Sequence, residues 1–159
     1  MKRLNPARSR ARLLTGALLA PLPLIVAGLG LVTPAYAATG QITGIAGKCV
    51  DVAAANSANG TKVQIWDCNG TAAQQWTTGS DGTIRALGKC LDVDNANSAN
   101  GTKVQIWDCN GTAAQRWTTG SDGSLRALGK CLDATGSNSA APLQIWDCNG
   151  TAAQRWTLH

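Results

Sequence analysis

Six cysteines recur on one interval: Cys49, Cys90 and Cys131 stand 41 residues apart, and Cys68, Cys109 and Cys148 stand 41 and then 39 apart. A period near forty residues means that one small unit is written three times, over approximately 41–82, 83–123 and 124–159. Each copy carries close variants of the same phrases, which in the second copy read "KCLDV", "KVQIW" and "AQRW", separated by Asn-Gly and Asp-Gly pairs. Short apolar runs between turn residues read as strands, and no window sustains a 3.6-residue apolar period. The chain is therefore expected to be all-β. A propeller fits the period, and each copy contains Trp-Asp, but propellers use about four to eight blades and pair that dipeptide with a Gly-His absent here.

The first 37 residues follow another logic. Lys2, Arg3, Arg8, Arg10 and Arg12 precede the apolar run "LLTGALLAPLPLIVAGLGLV", and "AYA" at Ala35 to Ala37 is a small-residue cleavage pattern. This predicts a secretory signal peptide over 1–37 and a mature domain over 38–159, secreted to the extracellular space. An uncleaved membrane anchor is the alternative, opposed by Pro21, Pro23 and the cleavage pattern. The formal net charge of +5 belongs to this segment: fourteen Lys and Arg less those five leave nine, against nine Asp and no Glu. A near-neutral domain has no basic face for nucleic acid or for an anionic membrane. Export places the six Cys in an oxidising compartment, so three disulfides are expected, one inside each copy. Zinc needs close Cys or His pairs, which the sequence lacks, and no cofactor is implied.

The strands divide their residues between two faces. In "VQIW", Val63 and Ile65 share one face while Gln64 and Trp66 share the other, and in "CVDV" Val50 and Val52 oppose Cys49 and Asp51. The aliphatic faces belong inside. If Cys49 bonds Cys68 directly across an antiparallel pair, Asp51 lies opposite Trp66, and likewise Asp92 opposite Trp107 and Asp133 opposite Trp146. A bulge in the hairpin changes that register. The residue inside "AQQW" and "AQRW" varies between Gln75, Arg116 and Arg155, as an exposed position can, so Gln74 and Trp76 are expected to face inward together and Trp76, Trp117 and Trp156 are assigned to the core. In a chain with no Phe these rings supply the bulk of its aromatic packing.

The threefold unit with "CVDV" or "CLD", then "VQIWDC" or "LQIWDC", then Q-x-W, resembles ricin B-type lectin domains and the family 13 carbohydrate-binding modules. The resemblance covers essentially all of 38–159 and implies a β-trefoil with pseudo-threefold symmetry and up to three sugar sites. It implies that Asp51, Asp92 and Asp133 accept hydrogen bonds from sugar hydroxyls and that Trp66, Trp107 and Trp146 stack on the ring. It implies polar support from Gln64, Gln74, Gln105, Gln115, Gln144 and Gln154. Many relatives carry Asn immediately before the Q-x-W glutamine, where this chain has Ala73, Ala114 and Ala153. The third copy also loses two loop residues and has Pro142 where the second has Lys103, which makes its site the most divergent.

These features favour a binding protein. Glu is absent and the one His is the terminal His159, so no nucleophile and base can be assembled, and the Asp residues are shared among separate copies. The expected partner is a polysaccharide or glycan of galactose, arabinose or xylose type, bound by a monomer. The alternative is a trefoil that binds a protein partner through another surface. Five N-G-T sequons, at Asn59, Asn69, Asn100, Asn110 and Asn149, read first as turns. Lys48, Lys89 and Lys130 read as a solvated rim.

Overall fold

Val and Ile at alternate positions make each short strand apolar on one side, and three hairpins turn those sides toward one axis. The structure is a computed structural model that describes residues 38–159; the expected signal peptide lies outside the described residues. Hairpin 1 joins Cys49–Val52 to Val63–Trp66, hairpin 2 joins Lys89–Val93 to Thr102–Trp107, and hairpin 3 joins Lys130–Ala134 to Leu143–Trp146. Between them, the last strand of each copy pairs with the first strand of the next. Trp76–Thr78 pairs with Ile84–Ala86, Thr118–Thr119 with Leu125–Ala127, and Thr157–Leu158 returns to Ile42–Thr43 and closes the ring. Six antiparallel pairs related by a threefold repeat are a β-trefoil.

The core is the set of inward faces. Val50, Val52, Val63, Ile65, Leu91, Val93, Val104, Ile106, Leu132 and Ile145 have no accessible surface. Trp76, Trp117 and Trp156 are buried among them, and each indole Nε1–H finds an acceptor: the carbonyls of Val50 at 2.9 Å, Leu91 at 3.0 Å and Leu132 at 3.0 Å. A buried indole needs such a partner to avoid the cost of an orphaned donor. Each ring thereby ties the end of its own copy to that copy's hairpin.

The expected register is two residues out. Cys49 faces Trp66 and Asp51 faces Gln64, and the other copies repeat this with Cys90 on Trp107, Asp92 on Gln105, Cys131 on Trp146 and Asp133 on Gln144. The reason is that Cys68 lies beyond the last ladder rung, past the end of Val63–Trp66, so the disulfide spans the mouth of the hairpin. A slip of two keeps the pleat parity, so Asp51 and Trp66 remain on one face as diagonal neighbours, as do their counterparts. The disulfides pair Cys49 with Cys68, Cys90 with Cys109 and Cys131 with Cys148, at sequence separations of 19, 19 and 17. Loops of that length give about 3 kcal/mol each in the chain-entropy account.

Two local features generate predictions. The turn before the first strand of copy 3 is held by Asp122, whose carboxylate accepts from the Ser124 hydroxyl and amide and pairs with Arg126. The Ser124 hydrogen bonds lead in lowering its pKa to about 2. A lowered carboxylate pKa contributes stability above the unfolded value of about 4, so this contribution is complete at neutral pH and is lost as pH falls from about 4 toward 2. An NMR titration of the Asp122 carboxyl is expected to show a midpoint about two units below an ordinary Asp. The second feature is Ala140, at φ 74, where the matching Gly60 and Gly101 sit at φ 85 and 86. An L-residue in this region costs about 1 kcal/mol, so Ala140→Gly is expected to stabilise the domain by up to about that amount in denaturant unfolding. Gly101→Ala is expected to destabilise it, by φ alone, since an added Cβ meets Trp146 at an ordinary 3.7 Å.

Candidate functional site

The outer face of each hairpin carries one acid and one ring. Trp66, Trp107 and Trp146 are about 40% exposed, whereas Asp51, Asp92 and Asp133 are 5, 5 and 8% exposed at the floor beside them. Burial of a carboxylate requires hydrogen bonds, and two glutamine amides supply them. Gln64 Nε2 donates to Asp51 Oδ1 at 3.0 Å, and Gln74 Nε2 donates to Asp51 Oδ2 at 3.1 Å. In copy 2 Gln105 and Gln115 hold Asp92 at 3.1 and 3.0 Å; in copy 3 Gln144 and Gln154 hold Asp133 at 2.9 and 3.1 Å. Each carboxylate oxygen can accept more than the one glutamine bond it receives.

The two kinds of glutamine differ. The hairpin glutamines lie at the edge of the hollow, but Gln74, Gln115 and Gln154 are sealed, at 0, 0 and 1% exposure. The remaining Gln74 amide hydrogen goes to the Asp67 carbonyl at 3.0 Å, and its carbonyl accepts from the Asn69 amide at 2.8 Å. Copies 2 and 3 repeat both bonds. The Q-x-W glutamine ends a 3₁₀ turn, Ala72–Gln74, and so points at the acid, away from the aliphatic core. Its part is to hold the acid and the chain after the tryptophan.

A wall stands opposite the ring in two copies. After Asp51 the chain makes a tight turn over Ala53–Ala55, and after Asp92 another over Asp94–Ala96; Ala54, Ala55, Asn95 and Ala96 all have φ between 51 and 55. These turns, the ring and the floor enclose hollows of about 490 Å³ in copy 1 and 310 Å³ in copy 2. Volumes from about 300 Å³ upward are those of small-ligand sites. Copy 3 brings Asp133, Gln144, Trp146 and Gln154 together in the same way, but among the described residues no 3₁₀ turn lies between its acid strand and Leu143–Trp146.

Some lining residues escaped the sequence reading. Asn69 and Asn110 lie on the rims of the two hollows next to Ala73 and Ala114. The Asn69 carbonyl accepts from the Thr71 amide at 3.1 Å and hydroxyl at 2.8 Å, leaving its NH₂ without a partner among the described residues. A turn-forming Asn-Gly pair hides this, because the turn uses only the carbonyl. Asp94 adds a second carboxylate to the copy 2 hollow, where it accepts from Gln105 at 3.2 Å. The signal for it was a difference, since copy 1 has Ala53 at that place.

The rim lysines are engaged, contrary to expectation. Lys48 pairs with Asp67 at 2.5 Å, and Lys89 and Lys130 pair with Asp108 and Asp147. These lysine hydrogen bonds lead in holding the three aspartates below the usual carboxylate range. Among the described residues no cluster of three His, Cys, Asp or Glu is placed to hold a metal ion. The arrangement offers a flat apolar platform beside an anchored acceptor, which suits a small ligand with one apolar face and hydroxyl donors on its edge.

The description of the ricin-type beta-trefoil lectin domain family matches residues 38–156. The solved agglutinin from Abrus precatorius is similar at 30% identity and a TM-score of 0.74, over 80% of this chain and 50% of that one. A non-toxic homologue of type II ribosome-inactivating proteins from Momordica charantia, solved with α-methyl-D-galactoside, is similar at 31% identity and a TM-score of 0.70, over 77% of this chain and 47% of that one. A glucan endo-1,3-beta-glucosidase of Cellulosimicrobium cellulans is 54% identical over 39 residues, 24% of this chain and 7% of the enzyme. The chain thus spans about half the length of these two solved structures and a small part of the enzyme.

The buried glutamine yields a test. Gln115→Met keeps the volume but strips partners from the Asp92 carboxylate, the Asp108 carbonyl and the Asn110 amide. Orphaning such groups is expected to cost about 2 to 4 kcal/mol in denaturant unfolding.

Proposed function

The chain belongs to the ricin-type beta-trefoil lectin domain family, and from that premise we propose that it is a secreted, non-catalytic lectin that binds a polysaccharide or glycan through up to three hollows. The observation that carries this reading is the pairing, in each copy, of a sunken and doubly held carboxylate with an exposed indole. Axial C–H bonds make one side of a pyranose apolar enough to lie on Trp66, Trp107 or Trp146. The carboxylate then takes adjacent hydroxyls in charge-assisted hydrogen bonds. Asn69 and Asn110 offer an NH₂ donor where Ala73 and Ala114 have none, which supplies a replacement contact within the same hollow.

The hollows are not equivalent under this reading. Copy 2 has the added Asp94 and the intact wall, copy 1 has the wall alone, and copy 3 has neither. Weak sites on one monomer gain by sharing a polymer, so binding to polysaccharide exceeds binding to free monosaccharide by far more than threefold, in the range of about 10² or greater where the spacing fits. Galactose-, arabinose- and xylose-type chains are the candidate ligands.

Trp66→Ala combined with Trp107→Ala is expected to lower affinity-gel or glycan-array binding by at least about tenfold, each ring contributing on the order of 1 kcal/mol or more. Unchanged binding in that double variant would favour a protein partner on another surface. Hydrolysis of a glycan by the pure protein, lost in Asp92→Ala, would overturn the non-catalytic reading.

A further inference from the structure

The long loop of each copy does not end at its own hollow. Asn59, in the loop of copy 1, reaches the residue that follows Trp107 in copy 2: its NH₂ donates to Asp108 Oδ2 at 2.7 Å and its carbonyl accepts from the Asp108 amide at 3.0 Å. On the other side of the ring, Gly60 N donates to the Ile106 carbonyl at 2.9 Å and Ile106 N donates to the Thr61 carbonyl at 3.0 Å. Both chain neighbours of Trp107 are therefore pinned by copy 1, and a Cβ on Gly60 would lie 3.7 Å from the ring. Copy 2 treats copy 3 in the same way, with Asn100 on Asp147 at 2.7 and 2.9 Å and Gly101 N on the Ile145 carbonyl at 2.9 Å.

The shortened loop of copy 3 closes the circle on copy 1 by a weaker version. Ala140 N donates to the Ile65 carbonyl at 2.9 Å, so the backbone contact is kept. At the place of Asn59 and Asn100 stands Ser139, whose hydroxyl makes one bond, to Asp67 Oδ2 at 3.1 Å. An amide can give to the carboxylate and receive from the backbone N–H at once, from two separate atoms; a shorter hydroxyl here makes only the first contact.

We propose that each hollow is finished by the copy before it: Asn59 and Asn100 are positioning residues for Trp107 and Trp146, and Ser139 is the weaker positioning residue for Trp66. This rests on the reading of the hollows as sugar sites. The rings are about 40% exposed and have solvent on the ligand side, so their orientation depends on the backbone beneath them. A platform that rocks loses stacking contact, and pinning both neighbours prevents it. The loop deletion in copy 3 thus bears on hollow 1 as well as on its own.

The experiment uses ¹H–¹⁵N spectra of the secreted protein, with the three exposed indole signals assigned by single Trp→Phe replacements. Without any sugar, Asn59→Ala is expected to shift and broaden the Trp107 indole signal and to leave those of Trp66 and Trp146 in place, with Asn59→Ser intermediate. Movement of Trp66, which shares a copy with Asn59, or of all three rings equally, or of none, would overturn the proposal. In titrations with methyl α-D-galactoside, Asn59→Ala is expected to weaken hollow 2 by about three- to tenfold, corresponding to one or two ordinary hydrogen bonds, with hollows 1 and 3 unchanged. Ser139→Asn is expected to tighten hollow 1, a gain that misfolding cannot imitate; unchanged or weaker binding there would count against the proposal. If the native protein shows no galactoside response at any ring, the galactoside reading fails, while the sugar-free spectra still decide the positioning role.

Discussion

A carboxylate cannot sit almost sealed beneath a protein surface unless neutral donors hold it, and the two glutamine amides on each acid meet that need. The rest of the structure follows from how those amides are delivered. One comes from the facing strand of the hairpin, the other from a 3₁₀ turn that leads straight into the core tryptophan. Gln74 is thus a joint between interior and surface: two residues after it the Trp76 indole donates to the Val50 carbonyl, next to the acid in sequence. Core packing and acid placement are one construction, made three times.

Repetition lets the three copies serve as controls for one another. Wherever they agree, as in the doubly held acid, the arrangement is the property of the unit. Where they differ, the difference is local: Ala53 against Asp94, the missing wall of copy 3, Ser139 in place of an asparagine. Such substitutions leave the hairpins intact because they fall in loops outside the ladder, and they change the lining of each outer face.

Much of this was legible from residue order. Alternation placed Asp51 with Trp66 and sent Val50, Val52, Val63 and Ile65 inward, because the pleat has a strict period of two. The varying residue inside Q-x-W marked Trp76, Trp117 and Trp156 as internal. The register differs from the expected one because a disulfide is not a ladder rung: a cystine can bridge chain that has already left its strand. The lysine partners become visible in the folded hairpin, where Lys48 meets Asp67.

Residue order carries the unit: its length, its strands, the face each side chain takes and the acid and ring that share a face. Those depend on backbone geometry within about twenty residues, which local pattern encodes. How the units meet is set only once the chain has folded. Asn59 lies 49 residues from Asp108, and Ser139 lies 72 from Asp67. Contacts at such separations carry no periodic signature, since they arise only when the ring of three closes and brings each loop against its neighbour's tryptophan.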